Sequence, residues 1–280
     1  MNILGIISSK DDLLHYDKLM NMENKEMVEK DNSPLISIIM PVYNAGKFLS
    51  HSIESCLKQT FADFELVCVD DCSSDNSYDI LCDFSKRDSR VSVYKLSQNS
   101  GSSVARNFAL QHSKGRFVCF LDADDMYKPE FLEKQLRFCQ FNGPFVFSSY
   151  DRLASKSYTI WKVRHKQDIK GCLKGDDISC LTAFFDTSVL GKPLFDVSLE
   201  MNEDSMYWIE LLKKCNFAYG NQESLAIYRI VRKSKSKNKI KSAKYMWLIY
   251  RKRCNINFFV SIYYLLSMTF YSIRKYSNVK

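Results

Sequence analysis

Acidic residues are missing from the last fifth of the chain, and this absence divides the sequence into two parts of opposite charge. No Asp or Glu follows Glu223, whereas 14 of the 40 Lys and Arg residues do. Residues 1–223 therefore carry 26 basic and 32 acidic groups. A net acidic body argues against a nucleic-acid-binding protein, which remains an alternative through the basic tail alone. The tail indicates an anionic partner.

Several motifs of nucleotide and metal binding are also missing. The sequence contains no G-x-G-x-x-G and no G-x-x-x-x-G-K, which disfavours dinucleotide binding and P-loop chemistry. Its ten cysteines form no C-x-x-C pair, and its four histidines stand apart from one another. No secretory signal precedes the cysteines. We therefore expect reduced thiols in a cytoplasmic protein rather than a disulfide framework or a zinc site.

One stretch combines an apolar run with three carboxylates. Residues 117–121 are all apolar, which predicts a strand buried on both faces. Carboxylates are rarely buried without a partner, so Asp122 and Asp124 should emerge at its carboxyl end, where ligands bind in open parallel sheets. Two aspartates one residue apart suit a divalent cation with oxygen ligands. Alternatively, Asp125 and residues 128–130 fit the start of a helix.

Strand and helix patterns alternate along residues 35–150. Predicted strands begin at Leu35, Phe64, Val91 and Phe117, with helical patterns between them. This order predicts an α/β fold with a mostly parallel, Rossmann-like sheet covered by helices on both faces. The polar clusters that follow the four strands are Tyr43/Asn44, Asp70/Asp71, Asn99/Gly101 and Asp122/Asp124. We expect all four clusters to meet at one edge of the sheet.

Composition divides the chain into three segments. Residues 1–33 form a charged extension, residues 34–228 form the α/β domain, and residues 229–280 form a basic, helical C-terminal segment. Within the domain, the alternating pattern of residues 34–150 gives way to mixed sequence at 151–228. These boundaries are predictions from pattern and charge.

Four sequence blocks resemble the inverting family 2 glycosyltransferases of the GT-A fold. The blocks are Ser37–Asn44, Val69–Asp75, Asn99–Asn107 and Leu121–Asp125. Their order and spacing match across about residues 35–150, and the likeness continues more weakly to about residue 230. Cys72 departs from the family pattern, which often has glycine there. We therefore expect this loop to avoid a conformation that only glycine reaches.

The resemblance implies a nucleotide-sugar site in residues 34–150 and an acceptor half in residues 151–228. Pro41 and Tyr43 belong to that site, with Tyr43 lying on a uracil-like base. Asp71 would accept the ring N–H of the base. The alternatives are that Tyr43 packs under a turn and that Asp70 and Asp71 cap the next helix, a role that we favour for Asp70.

The resemblance also implies a divalent metal. Asp124 would bind Mg²⁺ or Mn²⁺ bridging the donor diphosphate, and Asp122 would meet the ribose or the sugar. Arg106 would help to neutralise the diphosphate. The alternative for Arg106 is an ordinary surface position on a helix.

An acid pair opens a predicted amphipathic helix at Glu203 and Asp204. Such a pair is favourable at a helix N-terminus for electrostatic reasons alone. The resembling family, however, places its catalytic base in an acid pair at this point of the chain. An acceptor hydroxyl must lose its proton as it attacks, so the reaction requires a base. We assign this role to Asp204, with Glu203 as the alternative.

Residues 254–273 carry no charge and follow a basic helix pattern at about 240–253. Twenty uncharged positions are just long enough to span a bilayer. Two Asn and four Ser/Thr lower the hydrophobicity of the stretch, and tyrosines and phenylalanines flank its middle. We therefore favour a helix lying at a membrane surface over a spanning helix or an ordinary core helix.

Together these features predict a metal-dependent glycosyltransferase that moves a hexosyl or N-acetylhexosaminyl group from a UDP-sugar. Its acceptor would be a hydroxyl of a glycan or lipid-linked molecule in surface polysaccharide synthesis, such as capsule or O-antigen. We expect a cytoplasmic enzyme at the inner face of the membrane, with no nucleic-acid partner. The alternative of a catalytically silent nucleotide- or sugar-binding scaffold is disfavoured by the intact set of Asp122, Asp124 and Asp204.

Overall fold

The computed structural model describes residues 33–154, 157–230 and 239–277 of the chain. Residues 1–32 of the predicted extension and residues 231–238 of the basic run lie outside the described residues. The described residues from Pro34 onward form one compact unit.

Strands and helices alternate in the first half as the sequence pattern predicts. The strands are β1 (Ile36–Val42), β2 (Phe64–Asp70), β3 (Val91–Lys95), β4 (Phe117–Phe120), β5 (Met126–Tyr127), β6 (Phe145–Ala154), β7 (Ser157–Trp161), β8 (Lys166–Gln167), β9 (Phe184–Asp186) and β10 (Ala218–Arg229). The helices are α1 (Leu49–Leu57), α2 (Ser77–Arg87), α3 (Ser102–His112), α4 (Phe131–Asn142), α5 (Ile169–Lys174), α6 (Thr187–Leu190), α7 (Glu203–Cys215), α8 (Lys239–Leu248) and α9 (Phe258–Ser277). A 3₁₀ turn at Cys180–Thr182 and a π-helical turn at Ile249–Arg253 complete the elements.

The strands form one mixed sheet in the order β3-β2-β1-β4-β9-β6-β10-β5, with β7 beside β6 and β8 beside β10. The first four are parallel, and Ile36 of β1 lies opposite Phe64 of β2 and Phe117 of β4. Parallel neighbours place their carboxyl ends at the same edge. The loops after β1, β2 and β4 therefore leave the sheet on one side.

The sheet separates two hydrophobic cores because successive strand side chains point to opposite faces. Ile38 of β1 packs with α1, α2 and α4, whereas Ile39 packs with α3 and α7. Both side chains are fully buried, and burial of this kind contributes about 1.5–3 kcal/mol for each residue. The predicted coverage of the sheet by helices on both faces is confirmed.

The loop after β2 differs from the sequence expectation at Asp70. Cys72 takes a left-handed conformation with a φ of 59°, which is strained for a residue with a Cβ but is not restricted to glycine, so the expectation for Cys72 holds. The prediction that Asp70 caps the next helix is wrong. Helix α2 begins at Ser77, and Asp70 instead accepts a hydrogen bond from the backbone N–H of Ser73 within the loop (3.1 Å). Cys72 is left in a conformation that crowds its Cβ.

Replacing Cys72 with glycine is expected to stabilise the fold. The left-handed conformation costs a residue with a Cβ about 1–2 kcal/mol, and the greater freedom of unfolded glycine offsets part of the gain. We expect Cys72→Gly to raise the free energy of unfolding by about 0.5–1 kcal/mol in urea denaturation. Cys72→Ala is the control because it removes the thiol and keeps the Cβ. Equal stability of the two variants would show that the backbone is not strained.

Helix α9 packs on the body along one face and exposes the other. Tyr264 lies edge-on to buried Tyr250 (centroids 5.9 Å apart), and the Tyr271 hydroxyl donates to Asp177. Gly175 leaves room for this approach, since a Cβ there would collide with the Tyr271 ring. The exposed apolar residues of α9 are Phe258, Phe259, Ile262, Tyr263, Leu266, Phe270 and Ile273. Six of them recur at helical spacing, and we call these six the outer stripe: Phe259, Ile262, Tyr263, Leu266, Phe270 and Ile273.

No helix in the described ranges combines the length and apolarity that a membrane crossing requires.

Candidate active site

A cleft of about 800 Å³ opens at the carboxyl ends of β1, β2 and β4. Every site residue predicted from the sequence lines it: Pro41, Tyr43, Asp71, Arg106, Asp122, Asp124 and Asp204. The first strand supplies the tyrosine, and the fourth supplies the two aspartates one residue apart. The arrangement follows from the parallel order of these strands, as the polar clusters after each strand indicated.

One end of the cleft is formed by the loops after β1 and β2. Tyr43 is 52% exposed, so the alternative in which it packs under a turn is wrong. Asp71 is buried, and its two carboxylate oxygens accept backbone N–H groups of Ser100 (2.7 Å) and Gly101 (2.8 Å). These bonds fix the loop before α3. A carboxylate has about four lone-pair sites, so Asp71 retains capacity for a further donor.

Arg106 lies at the centre of the cleft floor. It is only 6% exposed, which rules out the surface-helix alternative. Its guanidinium contacts Asp122 Oδ1 (2.7 Å) and Glu203 Oε1 (3.5 Å). Burial lowers the pKa of Arg106, but the charge of Asp122 and other nearby anionic groups outweighs burial and raises it overall. The Nε atom of Arg106 has no hydrogen-bond partner in the described part of the chain.

The carboxylates after β4 have different surroundings. Burial, followed by the charge of Asp122, raises the pKa of Asp124 to about 6. Asp125 is buried and accepts the backbone N–H of Arg229 (2.7 Å), so it ties the turn to β10 and does not start a helix. Helix α4 begins six residues later at Phe131. Arg229 also donates its Nε to the backbone carbonyl of Asp124 (3.0 Å).

The carboxylates after β4 suit a cation that is also bound by a ligand. Across the described ranges, no group of three or more His, Cys, Asp or Glu side chains is placed to hold a metal alone. Asp122 and Asp124 converge at one strand end, and their mutual repulsion contributes to the raised pKa of Asp124. Mg²⁺ is usually bound through one or two carboxylates together with substrate phosphates. Asp124, supported by Asp122, fits that pattern.

The start of α7 forms another part of the cleft wall. Asp204 accepts the backbone N–H of Ser205 (2.8 Å), the one hydrogen bond to its side chain among the described residues. Glu203 is instead engaged by Arg106 and by the hydroxyl of Ser102 (3.5 Å). Asp204 therefore has a carboxylate oxygen available to a hydroxyl group, which is the first requirement of a general base.

Asp204 has an acidic neighbour that the sequence did not point to. Ser205 connects the two, since its N–H binds Asp204 and its hydroxyl donates to Asp176 Oδ2 (3.3 Å). Burial, followed by the charge of Asp204, raises the pKa of Asp176 to about 7. Burial likewise raises the pKa of Asp204, while Arg106 and Lys275 act against this rise. The pair can therefore hold a proton near neutral pH.

The raised pKa of Asp204 predicts that kcat declines with decreasing pH above the range of an ordinary aspartate. The base must be ionised, and burial raises its pKa. We expect Asp176→Asn to leave this decline nearly in place, because the charge of Asp204 raises the pKa of Asp176, so that Asp176 is still protonated and neutral while Asp204 titrates. The charged groups that act on Asp204 are Arg106, Lys275 and Asp122. A decline that moves to lower pH in the variant would show that Asp176 is charged while Asp204 titrates.

Four residues of the cleft wall escaped the sequence reasoning: Asp176, Arg229, Tyr271 and Lys275. Asp176 belongs to an acid pair after Gly175, a local signal comparable to Glu203-Asp204. Arg229 reaches Asp125 across 104 positions of sequence, and Lys275 approaches the backbone of Asp176 across 99. No local pattern marks such contacts.

The family model described as "Glycosyl transferase family 2" matches residues 37–192, which is more than half of the chain. The chain belongs to glycosyl transferase family 2. It is a glycosyltransferase, and the resemblance found in its four sequence blocks is confirmed.

Similar proteins cover most of this glycosyltransferase. It is 39% identical over 229 residues to a putative teichuronic acid biosynthesis glycosyltransferase, TuaG, of Bacillus subtilis. This alignment covers 80% of this chain and 90% of the relative. It is 34% identical over 250 residues to the Escherichia coli UDP-Glc:alpha-D-GlcNAc-diphosphoundecaprenol beta-1,3-glucosyltransferase WfgD. This alignment covers 87% of this chain and 95% of the relative.

Solved structures show the same fold. TarS of S. aureus in complex with UDP-GlcNAc superposes with a TM-score of 0.66 at 20% identity, over 87% of this chain and 73% of that one. The mannosyltransferase PcManGT of Pyrobaculum calidifontis, in complex with GDP-Man and Mn²⁺, superposes with a TM-score of 0.64 at 14% identity, over 94% of this chain and 83% of that one. The predicted GT-A architecture with a helical C-terminal extension is confirmed.

Proposed function

We propose that this glycosyltransferase is a metal-dependent, inverting enzyme. It transfers a hexosyl or N-acetylhexosaminyl group from a UDP-sugar to a hydroxyl of a glycan or lipid-linked acceptor in bacterial surface polysaccharide synthesis. The observation that carries the proposal is the single cleft, which Tyr43, Asp71, Asp124 and Asp204 all line. TuaG and WfgD are named for related roles, and TarS is described with UDP-GlcNAc.

The donor occupies the side formed by the loops after β1, β2 and β4. Pro41 and Tyr43 line the base site, where the exposed Tyr43 ring offers a stacking surface. Asp71 orients the base through its remaining acceptor capacity. Arg106 supplies positive charge to the diphosphate from the cleft floor, and Asp122 holds Arg106 in place while facing the ribose or sugar.

Asp124, with Asp122 beside it, would hold Mg²⁺ or Mn²⁺ in this proposal. When bound, such an ion would offset the negative charge that develops on the leaving diphosphate. The raised pKa of Asp124, caused by burial and then by Asp122, marks a carboxylate that gains from a nearby cation.

Asp204 removes the proton of the attacking hydroxyl. It lines the same cleft as the donor carboxylates. Direct displacement with inversion requires a base on the face of the sugar opposite the leaving diphosphate. Burial, followed by the charge of Asp204, raises the pKa of its neighbour Asp176 to about 7. No covalent intermediate is involved.

Helix α9 places the enzyme on the inner face of the cytoplasmic membrane in this proposal. The outer stripe presents Phe259 at 81%, Phe270 at 72% and Leu266 at 66% exposure, while the opposite face of the helix packs on the body. Exposed Lys244 and Lys252 on the preceding segment contribute about 1 kcal/mol each near an anionic surface. An amphipathic helix with these features lies in the membrane interface.

Vesicle flotation tests this placement. We expect binding to vesicles containing anionic lipid that weakens with salt. The Phe270→Ser variant should bind at least about tenfold more weakly, because it lacks an aromatic side chain that enters the membrane on docking. Phe141→Ser is the matched control, since Phe141 is 61% exposed on α4, away from α9. Equal vesicle binding by the two variants would contradict docking through the outer stripe.

The donor is identified by thermal stabilisation against a panel of nucleotide sugars with and without Mn²⁺. A ligand that binds only the folded chain raises the midpoint of unfolding. We expect a UDP-sugar to raise it in a metal-dependent manner. Stabilisation by no nucleotide sugar would overturn the proposed donor class.

A further inference from the structure

A second cavity, of about 320 Å³, lies beside the cleft between β7 and the last turns of α9. Arg152 and Tyr271 line both cavities, so the two share a wall near Asp176. We call the smaller cavity the basic pocket. Its charged lining residues are Arg152, Lys162, Arg164, Arg274 and Asp177. Four cations thus surround one carboxylate in a space large enough for a small anion.

The carboxylate of Asp177 is fully occupied. It pairs with Arg164 Nε (3.0 Å) and accepts the Arg164 backbone N–H (3.1 Å). It also accepts Trp161 Nε1 (3.2 Å) and the hydroxyl of Tyr271. Asp177 therefore neutralises Arg164 and fixes the aromatic wall. Arg152 and Lys162 line the same cavity and add positive charge to it.

Arg152 is the most unusual member of this set. It is 3% exposed, yet it forms no ion pair with a carboxylate of the described chain. Its guanidinium donates to the backbone carbonyl of Lys275 and lies 5.2 Å from the Trp161 ring centre. Its Nε atom has no hydrogen-bond partner among the described residues. A buried cation without a counter-ion is costly, so this position gains from a bound anion.

We propose that the basic pocket binds the phosphate of the acceptor, a phosphate ester carried on an apolar chain. This inference rests on the proposed function. The outer stripe, the basic pocket and the base follow one another in the same order as the apolar chain, the phosphate and the sugar of such an acceptor. Phe270 and Ile273 of the outer stripe adjoin Tyr271 and Arg274 in sequence. The basic pocket follows, and its shared wall leads to Asp176 and the base.

The placement divides recognition of the acceptor among three surfaces. The outer stripe holds the apolar chain, and the basic pocket holds the phosphate through charge-assisted hydrogen bonds. The first sugar then lies in the cleft with its hydroxyl towards Asp204. Arg152 contributes most because its charge is already desolvated, and Lys162 and Arg274 contribute from the rim.

Calorimetry with geranyl diphosphate tests the proposal in the full-length chain. Chelator is present to prevent binding through a metal in the cleft. The test variant is Lys162→Gln with Arg274→Gln, which removes two rim charges without altering the core. The matched control is Lys86→Gln with Arg137→Gln, which removes one Lys and one Arg from exposed positions on α2 and α4. Arg152→Gln is a third variant, checked for folding by its thermal midpoint.

We expect the rim variant to bind geranyl diphosphate at least about tenfold more weakly than wild type, and the control to bind normally. Inorganic pyrophosphate should show the same dependence on the rim, and uncharged geraniol should not. Equal affinity in the rim variant and control would overturn the proposal. So would a rim variant that loses only its binding to phosphatidylglycerol vesicles, since the pocket would then serve membrane headgroups.

A crossed titration separates this inference from the proposed donor site. UDP with Mn²⁺ should bind the rim variant normally and fail to bind Asp124→Asn. Geranyl diphosphate under chelation should bind Asp124→Asn normally. Loss of UDP binding in the rim variant would mean that the two cavities form one site, which contradicts a separate acceptor phosphate pocket.

Discussion

Asp204→Asn is expected to reduce turnover by a factor of about 10²–10⁴ while leaving the affinity for the donor unchanged. The amide oxygen of asparagine can still accept the N–H of Ser205, so the start of α7 is preserved. What is lost is the ability to take a proton from the acceptor hydroxyl. Single-turnover rates and donor calorimetry measure the two effects separately.

Glu203→Gln is the companion variant. Glu203 contacts Arg106 at 3.5 Å, so its replacement should disturb the donor side of the cleft and change KM. Near-normal turnover in Asp204→Asn, combined with an inactive Glu203→Gln, would transfer the role of base to Glu203. Loss of donor binding in both variants would instead indicate a structural role for the acid pair.

Asp124→Asn is expected to abolish metal-dependent donor binding and leave the fold intact. A neutral amide is a weaker ligand for Mg²⁺ or Mn²⁺ than a carboxylate, and the described residues offer no third acidic ligand to compensate. Removal of a partly buried carboxylate with a raised pKa should not destabilise the protein at neutral pH. Calorimetry with UDP, with and without Mn²⁺, measures the effect.

Asp79→Asn is the matched control, because Asp79 is exposed in the first turn of α2 and does not line the cleft. Wild-type affinity in Asp79→Asn together with unchanged Mn²⁺-dependent binding in Asp124→Asn would exclude Asp124 as the metal ligand.

The sequence predicted the features that depend on local pattern. Apolar runs located β1 to β4, and the order of parallel strands implied that Tyr43, Asp71 and Asp124 would meet at one edge. The acid pair at Glu203 identified the start of α7 for the same reason, since acidic residues favour a helix N-terminus.

Features that depend on long-range packing could not be predicted in this way. Arg229 fixes Asp125, and Ser205 joins Asp176 to Asp204, because the chain returns to the same edge after long excursions. Periodicity identified α9 as amphipathic but did not indicate which residues would dock. Cys72 reached a left-handed conformation because the hydrogen bonds of its loop outweigh a modest steric cost.

Release of UDP from a UDP-sugar is the most direct test of the central claim. The sugar is chosen from the thermal panel, and the assay is run with Mn²⁺ or chelator in wild type, Asp124→Asn and Asp204→Asn. We predict metal-dependent release in wild type that acceptor accelerates, and strong loss in both variants. Release that is indifferent to chelator, or undiminished in Asp124→Asn and Asp204→Asn, would contradict a metal-dependent transfer in this cleft.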